Sequence, residues 1–128
     1  MTITIDGSSG ISSVDGSAGS PSVRGSDANS GIVYAADTVS ISTGGSERAK
    51  VNSSGHFLPG ANNTYDLGDS SNRWRNIYTN DLNLSNEGSS NDVDGSWGSY
   101  TIQEGAEDLF LVNRRNGKKY KFNLTEVL

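Results

Sequence analysis

The stretch "GIVYAADTVSISTGGSERAKV", residues 31 to 51, alternates apolar and small polar side chains. Val39 and Ile41 are separated by a serine, and an alternation with a period of two is typical of a half-buried β-strand. The Gly44-Gly45 pair supplies the positive φ angles that a tight turn needs before the chain returns. This stretch therefore predicts antiparallel β-structure in the middle of the chain.

The segments on either side of this stretch also contain strand and turn signals. "NSSGHFLPG" predicts a second turn that ends at Pro59-Gly60, which breaks a strand. At the N-terminus the alternation of "TITID" predicts a half-buried strand. The Gly, Ser and Asp content of residues 7–29 leaves two alternatives open, a further β-rich stem or a flexible linker.

The C-terminal end gives a strong hairpin signal. "EDLFLVNRR" and "KKYKFNLTEV" are alternating apolar runs joined by Asn116-Gly117, a pair typical of two-residue hairpin turns. A turn at this pair predicts that Arg114 faces Lys119 across the ladder, which costs stability. The same register predicts these further facing pairs: Arg115 with Lys118, Asn113 with Tyr120, Leu111 with Phe122, and Leu109 with Leu124. "WGSYTIQEG" predicts one more strand, and the residues from Leu82 to Ser99 read as a polar connection.

Residues 63–85 concentrate large apolar side chains in a chain otherwise rich in Gly, Ser, Asn and Asp. Ser70 or Ser71 can cap a short helical turn over "NRWRNIY", with Asp69 near its positive end. In such a turn three large side chains stand at positions i, i+3 and i+4 on one face. We expect this segment to contribute a plug shared between subunits, built from Tyr65, Leu67, Trp74, Ile77 and Tyr78.

The composition indicates a thin core. Only 32% of the 128 residues are hydrophobic and 16 are glycine, well below the apolar content of ordinary globular chains. The regular spacing of β-branched and aromatic residues argues against disorder. Burial that one chain cannot supply can come from an interface, so we expect an obligate homo-oligomer.

Charge and residue usage exclude several classes of function. The formal charge of −5 opposes binding to phosphate backbones, so no nucleic-acid partner is expected. The chain has no cysteine, which removes disulfides and thiolate chemistry. No apolar run is long enough for a membrane span, and "MTITIDGSSG" does not resemble a signal peptide. We expect assembly in a cytoplasm, without membrane insertion.

Three segments of the chain resemble known proteins. "LPGANNTYDLGDSSNRWRNIYTNDLNL" (58–84) closely resembles a segment that recurs in bacteriophage tail fibres, particularly those of marine and cyanobacterial phages. "SDANSGIVYAADTVSISTGGSERAKVNSSGHFLP" (26–59) is similar to the fibre segment that commonly precedes it. Residues 85–127 resemble C-terminal modules of phage structural proteins. The resemblance covers about residues 20 to 128.

The resemblance implies an elongated, mostly β homotrimeric virion protein, assembled in the host cytoplasm and involved in host attachment as a tail fibre or fibre tip. Its partners would be copies of itself, other virion proteins and host surface polysaccharide. Two alternatives stay open, a capsid decoration or head-fibre protein and a polysaccharide-degrading tail spike. Four segments are expected: a Gly/Ser-rich stem or attachment segment (1–30), a β-rich stem (31–62), the Trp74 plug segment (63–86) and a C-terminal β module (87–128).

No catalytic or cofactor-binding residue is expected, and the protein is predicted not to be an enzyme. His56, the only histidine, lies between Gly55 and Phe57 and reads as a turn residue. "NDVDGSWG" offers Asp92 and Asp94 as oxygen ligands for calcium, but it lacks the acidic residue that completes such a loop. A solvent-exposed Asx-Gly turn is the favoured interpretation, so no metal site is predicted.

Two groups of side chains are candidates for contact with a receptor or partner. Basic residues at the hairpin end would form a positive surface for anionic sugar or an acidic protein, or would only solvate and blunt an exposed edge. Trp97, Tyr100 and Tyr120 would line a sugar-binding groove or belong to the core, and the core is favoured. The basic group consists of Arg114, Arg115, Lys118, Lys119 and Lys121.

Overall fold

A computed structural model describes the backbone of residues 4–6 and 10–12 and all atoms of residues 15–127. The described residues form an all-β chain without a helix, which confirms the predicted β character. The strands are β1 (Thr4–Asp6), β2 (Gly10–Ser12), β3 (Val23–Arg24), β4 (Gly31–Ala35), β5 (Thr38–Thr43), β6 (Ser46–Val51), β7 (Phe57–Pro59), β8 (Leu82–Ser85), β9 (Ser99–Glu104), β10 (Leu109–Asn113) and β11 (Lys119–Lys121).

The chain divides into two compact units, with the boundary between Arg73 and Trp74. The first unit contains a five-stranded antiparallel sheet in the order β3-β4-β5-β6-β7 and a separate β1-β2 pair. The second unit contains a four-stranded antiparallel sheet in the order β11-β10-β9-β8. In both sheets each strand pairs with its neighbour in sequence, so no strand crosses over another.

The turns of the first sheet follow from residues that tolerate positive φ. Asp37 has φ 54° between β4 and β5, and Gly44 and Gly45 have φ 58° and 74° between β5 and β6. The predicted strands over residues 31–51 and the Gly44-Gly45 turn are confirmed. A β-bulge between Ile41 and Ser42 shifts the register of β5 against β6.

Residues 15–30 are tied to the edge and turns of the first sheet. The N–H of Gly16 donates to the carbonyl of Tyr34 (3.0 Å), and the N–H of Gly45 donates to the carbonyl of Asn29 (2.9 Å). The N–H of Gly44 donates to Ser30 Oγ (3.0 Å). "TITID" contributes β1, whereas residues 1–3, 7–9 and 13–14 of the predicted stem or linker lie outside the described residues.

The predicted helical turn near Trp74 is wrong, because residues 70–78 contain no helix. Asp69 Oδ1 accepts from the N–H groups of Ser71 and Asn72 (2.7 and 2.6 Å), as a helix cap would. The chain closes on itself there instead, since the N–H of Asp69 donates to the carbonyl of Asn72 (2.9 Å). One isolated turn is too short to repay helix nucleation without packing, and Trp74 remains 64% exposed.

The connection that follows is less irregular than predicted. Leu82–Ser85 form β8, which pairs with β9 along its whole length. The alternation of two leucines in "LNLS" was too short a signal to distinguish from a loop. The remainder of the connection, from Asn86 to Gly98, is irregular as expected.

The C-terminal hairpin forms, but its predicted register is wrong by two residues. Leu111 faces Tyr120 and Val112 faces Lys119, so Arg114 and Lys119 do not face each other. A shift of two residues leaves every side chain on its predicted face.

The cause of the shift is a four-residue loop in place of a two-residue one. The N–H of Asn113 donates to the carbonyl of Lys118 (2.8 Å), which places residues 114–117 in the loop. Asn113 Oδ1 accepts from the N–H of Arg115 (2.9 Å), and the N–H of Arg114 donates to the carbonyl of Ser99 (2.8 Å). These bonds direct Arg114 and Arg115 towards β9 rather than into the hairpin ladder.

Candidate functional site

The two sheets bury almost no apolar side chains. Among residues 15–127, Val33 and Val112 are the only hydrophobic residues less than a tenth exposed. Sixteen large hydrophobic residues in the same range are exposed by 42% or more. A fold stabilised by its own core shows the opposite distribution, so the exposed apolar surfaces are the first candidates for function.

In the first sheet, the buried face is the polar one. Ser40 and Ser42 on β5 are only 6% and 1% exposed. Ser40 Oγ donates to Glu47 Oε2 (2.9 Å), and Lys50 Nζ pairs with Glu47 Oε1 (2.9 Å). The hydrogen bond from Lys50, then that from Ser40, lowers the pKa of Glu47. This face therefore carries small hydroxyl groups and one ion pair, and the buried Val33 lies on it as well.

The opposite face of the first sheet is apolar across five strands, and we call it the open face. Val39 and Ile41 alternate with the two buried serines, yet they are 43% and 44% exposed. The register places their cross-strand partners on the same face, because directly opposed residues in an antiparallel pair point the same way. The open face consists of Val23, Ile32, Tyr34, Val39, Ile41, Ala49, Val51, Phe57 and Pro59.

The second sheet repeats the arrangement. Thr101 on β9 is fully buried, its hydroxyl donating to Asn83 Oδ1 (2.6 Å) and accepting from Arg114 Nε (2.7 Å). Gln103 Nε2 donates to Asp81 Oδ2 (2.9 Å) along the same face. A chain of side-chain hydrogen bonds therefore runs across β8, β9 and the hairpin loop.

The other face of the second sheet carries the exposed apolar residues of its strands. Leu82, Leu84 and Tyr120 are 44%, 49% and 47% exposed. Ile102 and Leu111, which face each other at the centre, are only half-buried. Each unit therefore exposes an apolar sheet face and satisfies its polar groups on the opposite side.

The predicted plug residues are divided between the two units. Tyr65 lies in the first unit, where its hydroxyl accepts from Arg48 Nη1 (2.9 Å) and its ring lies 5.2 Å from the Arg48 guanidinium carbon. The other four side chains are largely exposed in the single chain: Leu67 by 67%, Trp74 by 64%, Ile77 by 70% and Tyr78 by 92%. Their role in a core shared between subunits stays a prediction.

Three of the five predicted basic contact residues are engaged within the second unit. Arg114 bonds Thr101, as described above. Arg115 Nη1 donates to the carbonyl of Trp97 (2.7 Å), and its guanidinium carbon lies 3.9 Å from the centre of the Trp97 ring, a stacked cation–π geometry. Lys121 Nζ pairs with Asp108 Oδ1 (2.8 Å). The Arg114 contact holds the hairpin loop against β9, and all three contacts leave less positive charge for an outside partner.

Lys118 and Lys119 are both exposed, and neither forms an ion pair within the described range. Lys119 lies on β11, and Lys118 immediately precedes it. Consecutive residues of an extended chain point to opposite faces of a sheet. The two ammonium groups therefore do not converge on one small ligand, although both remain available at the hairpin end.

The segment that offered calcium ligands is a closed hydrogen-bonded turn. Asp94 Oδ1 accepts from the N–H and hydroxyl of Ser96 (2.9 and 2.7 Å) and from Asn91 Nδ2 (2.7 Å). These bonds, led by the Ser96 hydroxyl, lower the pKa of Asp94 to about 2. Gly95 has φ 70°, as an Asx-Gly turn requires. The described residues hold no group of three His, Asp or Glu side chains arranged to share a metal ion.

An open cleft of about 590 Å³ lies beside this turn in the second unit. Leu84 and Tyr100 form its apolar part, and Asn86, Asn91 and Asp92 stand at its polar side. The amides already serve the loop, since Asn86 Oδ1 accepts from the N–H of Gly98 (2.6 Å). Tyr100 also accepts from Asn113 Nδ2 (3.0 Å). Of the three aromatic candidates for a groove, only Tyr100 lines this cleft.

His56 is exposed in the turn before β7, where its backbone N–H donates to Asn52 Oδ1 (2.9 Å).

The part of the chain that the structure describes contains no helix of the length and apolarity that crossing a membrane requires. Comparison with protein-family models, with curated proteins and with solved structures finds no match to this chain.

The sequence predicted the strands over residues 31–51 but gave no indication of the open face. The alternation in "TVSIST" separates Val39 and Ile41 from the serines, so it defined the two faces. It gave no sign that the serine face would be the buried one. Serine side chains are small enough for a neighbouring segment to approach closely, and that approach is a property of the folded unit.

Proposed function

We propose that this chain is a structural subunit of a phage virion, a homotrimeric tail fibre or fibre tip that takes part in host attachment. The proposal rests on one observation above all, the inverted burial of the first sheet. A chain with two buried hydrophobic residues in its described range lacks an internal core and needs the surface of another subunit. Mechanical fibre proteins obtain their core in this way, along an axis of assembly.

The sequence resemblance supports the same proposal and supplies the number of subunits. Residues 58–84 resemble the tail-fibre segment "NTYDLG" followed by "NRWRNIY", which recurs in trimeric fibres. In the single chain this segment holds two strongly exposed aromatic side chains, Trp74 at 64% and Tyr78 at 92%. Large aromatics that stay exposed in a monomer are the residues that interfaces most often bury.

The proposal assigns adhesion to exposed surface and requires no catalytic group. The second unit ends in a hairpin that presents Lys118 and Lys119. Two ammonium groups at the end of an otherwise acidic chain favour contact with anionic surface sugar or an acidic partner protein.

The location in the virion is tested by immunogold electron microscopy on phage particles that carry this protein. We expect antibodies against the purified chain to label the tail fibres. Label on the capsid would place the protein in the phage head and contradict the proposed location in the tail fibres. Particles that bind no antibody, beside a positive control for a known virion protein, would contradict a structural role.

The attachment role is tested by competition. We expect the purified protein to reduce phage adsorption to host cells and the Lys118→Glu, Lys119→Glu variant to lose that effect. The combined variant Ser26→Glu, Ser53→Glu, Ser54→Glu, Ser89→Glu is the matched control, because it changes the net charge by the same amount at exposed positions outside the hairpin and outside residues 63–86. Equal competition by both variants would show that the two lysines are not part of the attachment surface.

A further inference from the structure

We infer that the open face of the first sheet is the self-association surface of this protein, covered in the assembled state by other copies of the same chain. This inference rests on the proposed function and deepens it, since it assigns the contact between subunits to one face of one sheet. Among the nine side chains of the open face, the Tyr34 hydroxyl is the only polar group.

The exposed area matches what an interface needs. Six large side chains on the open face are exposed by 42–64%: Val23, Tyr34, Val39, Ile41, Val51 and Phe57. Together they leave roughly 500 Å² of apolar surface uncovered, near the upper limit that monomers tolerate. A standard interface buries about 800 Å² per partner, of which a little over half is apolar. The open face therefore supplies the apolar part of a full interface.

The occupant is argued from the lack of an internal core. Val33 is the only hydrophobic residue of the described first unit that is less than a tenth exposed. A sheet with so little burial has no stable folded monomer unless its apolar face is covered as it folds. A partner that must be present whenever the chain folds is most simply another copy of it, made at the same place and time.

Charge favours the same occupant. The nine side chains of the open face carry no charge, whereas the chain as a whole carries −5. Identical acidic chains repel through their charged surfaces, so they approach at least electrostatic cost through a neutral face. The opposite face, with the Glu47–Lys50 pair and its hydroxyls, has its polar groups satisfied within the unit.

The test uses the absence of cysteine from the chain. Val39→Cys places one thiol on the open face, and Val93→Cys places one in a loop of the second unit where the native side chain is 96% exposed. Both proteins are assembled, reacted with a maleimide and followed by mass spectrometry. We expect the Val39→Cys thiol to react at least tenfold more slowly than the Val93→Cys thiol, although in the single chain Val39 is 43% exposed.

Equal reaction rates in the assembled protein would overturn the inference. Val51→Cys, on the neighbouring strand and 42% exposed, decides the matter if Val39→Cys does not fold. Sedimentation of the same samples separates this inference from the proposed function. A trimer in which the open-face thiol reacts fast means that the copies contact each other through another surface. The inference then fails, whereas the proposal of a trimeric fibre is not contradicted.

The remaining outcomes are equally distinct. A trimer with a slow thiol supports both statements. A dimer or tetramer in which the thiol reacts slowly supports the open face as the self-association surface but contradicts the trimeric fibre. A single-chain species overturns both, because a slow thiol there would mean that the face is covered from within the chain.

Discussion

The hydroxyl of Ser42 is buried without a hydrogen-bond partner among the described residues, two positions along β5 from a serine that is fully used. Ser40 and Ser42 lie on the same face of the same strand, and both are less than a tenth exposed. They differ only in whether the oxygen is satisfied. Comparing the two serines therefore separates the contribution of a hydrogen bond to stability from the contribution of a small side chain.

We expect Ser42→Ala to leave the free energy of unfolding unchanged or to raise it, because it removes an unsatisfied buried oxygen. Ser40→Ala should lower the free energy of unfolding by about 1 kcal/mol, because it removes the bond to Glu47. Both are measured by denaturant unfolding at one fixed protein concentration. A loss for Ser42→Ala equal to that for Ser40→Ala would show that its hydroxyl has a partner after all.

Gly60 ends β7 where the chain passes close to β6. Its N–H donates to the carbonyl of Arg48 (2.8 Å), and a Cβ added there would collide with the backbone carbonyl of Glu47. We expect Gly60→Ala to destabilise the protein by about 1–3 kcal/mol, since backbone must move. Gly25→Ala is the control because no atom lies within 4 Å of its added Cβ. Thermal melts that coincide for the two variants would contradict the close approach.

At the scale of elements, the loop between β8 and β9 is held by one carboxylate. Asp94 organises the turn from Asn91 to Ser96, and its pKa falls from 3.8 to about 2 because the charged form accepts those hydrogen bonds. A carboxylate with a lowered pKa in the folded state stabilises it above the unfolded pKa. That contribution is lost as the pH falls through the folded value.

The expected result is a pH-dependent difference between two variants. Asp94→Asn should be less stable than Asp92→Asn at pH 6, although both remove one exposed negative charge from the same loop. The difference should shrink as the pH falls from about 4 towards 2, where Asp94 itself becomes protonated. The measurement is denaturant unfolding across that pH range. A difference independent of pH would mean that the charge of Asp94 does not hold the turn.

At the scale of the whole molecule, stability should depend on concentration. If folding and association are coupled, the midpoint of thermal unfolding falls by several degrees when the protein is diluted a hundredfold. Differential scanning fluorimetry over that range measures it. A midpoint that does not move would show that a single chain holds itself together.

A charge on the open face should break the assembly. We expect Val39→Lys to shift the sedimentation profile to smaller species or to prevent folding, because an ammonium group would be buried against a neutral partner. Val93→Lys makes the same exchange at a position that is 96% exposed and should leave the assembly intact. Identical sedimentation of the two variants would exclude Val39 from the contact between copies.

By itself the sequence determined the β character of the chain, the turn at Gly44-Gly45 and the two faces of β5, since these depend on alternation and on residues that tolerate positive φ. It also located the C-terminal hairpin and the shortage of apolar residues. It did not determine the hairpin register, which the contacts of Arg114 with β9 and of Arg115 with Trp97 decide. It wrongly predicted a helical turn before Tyr78, because three apolar residues at helical spacing fold a short turn only when something packs on them. Which face of each sheet is buried was likewise decided by tertiary structure, where small hydroxyl side chains admit close packing and the bulkier apolar side chains stay exposed.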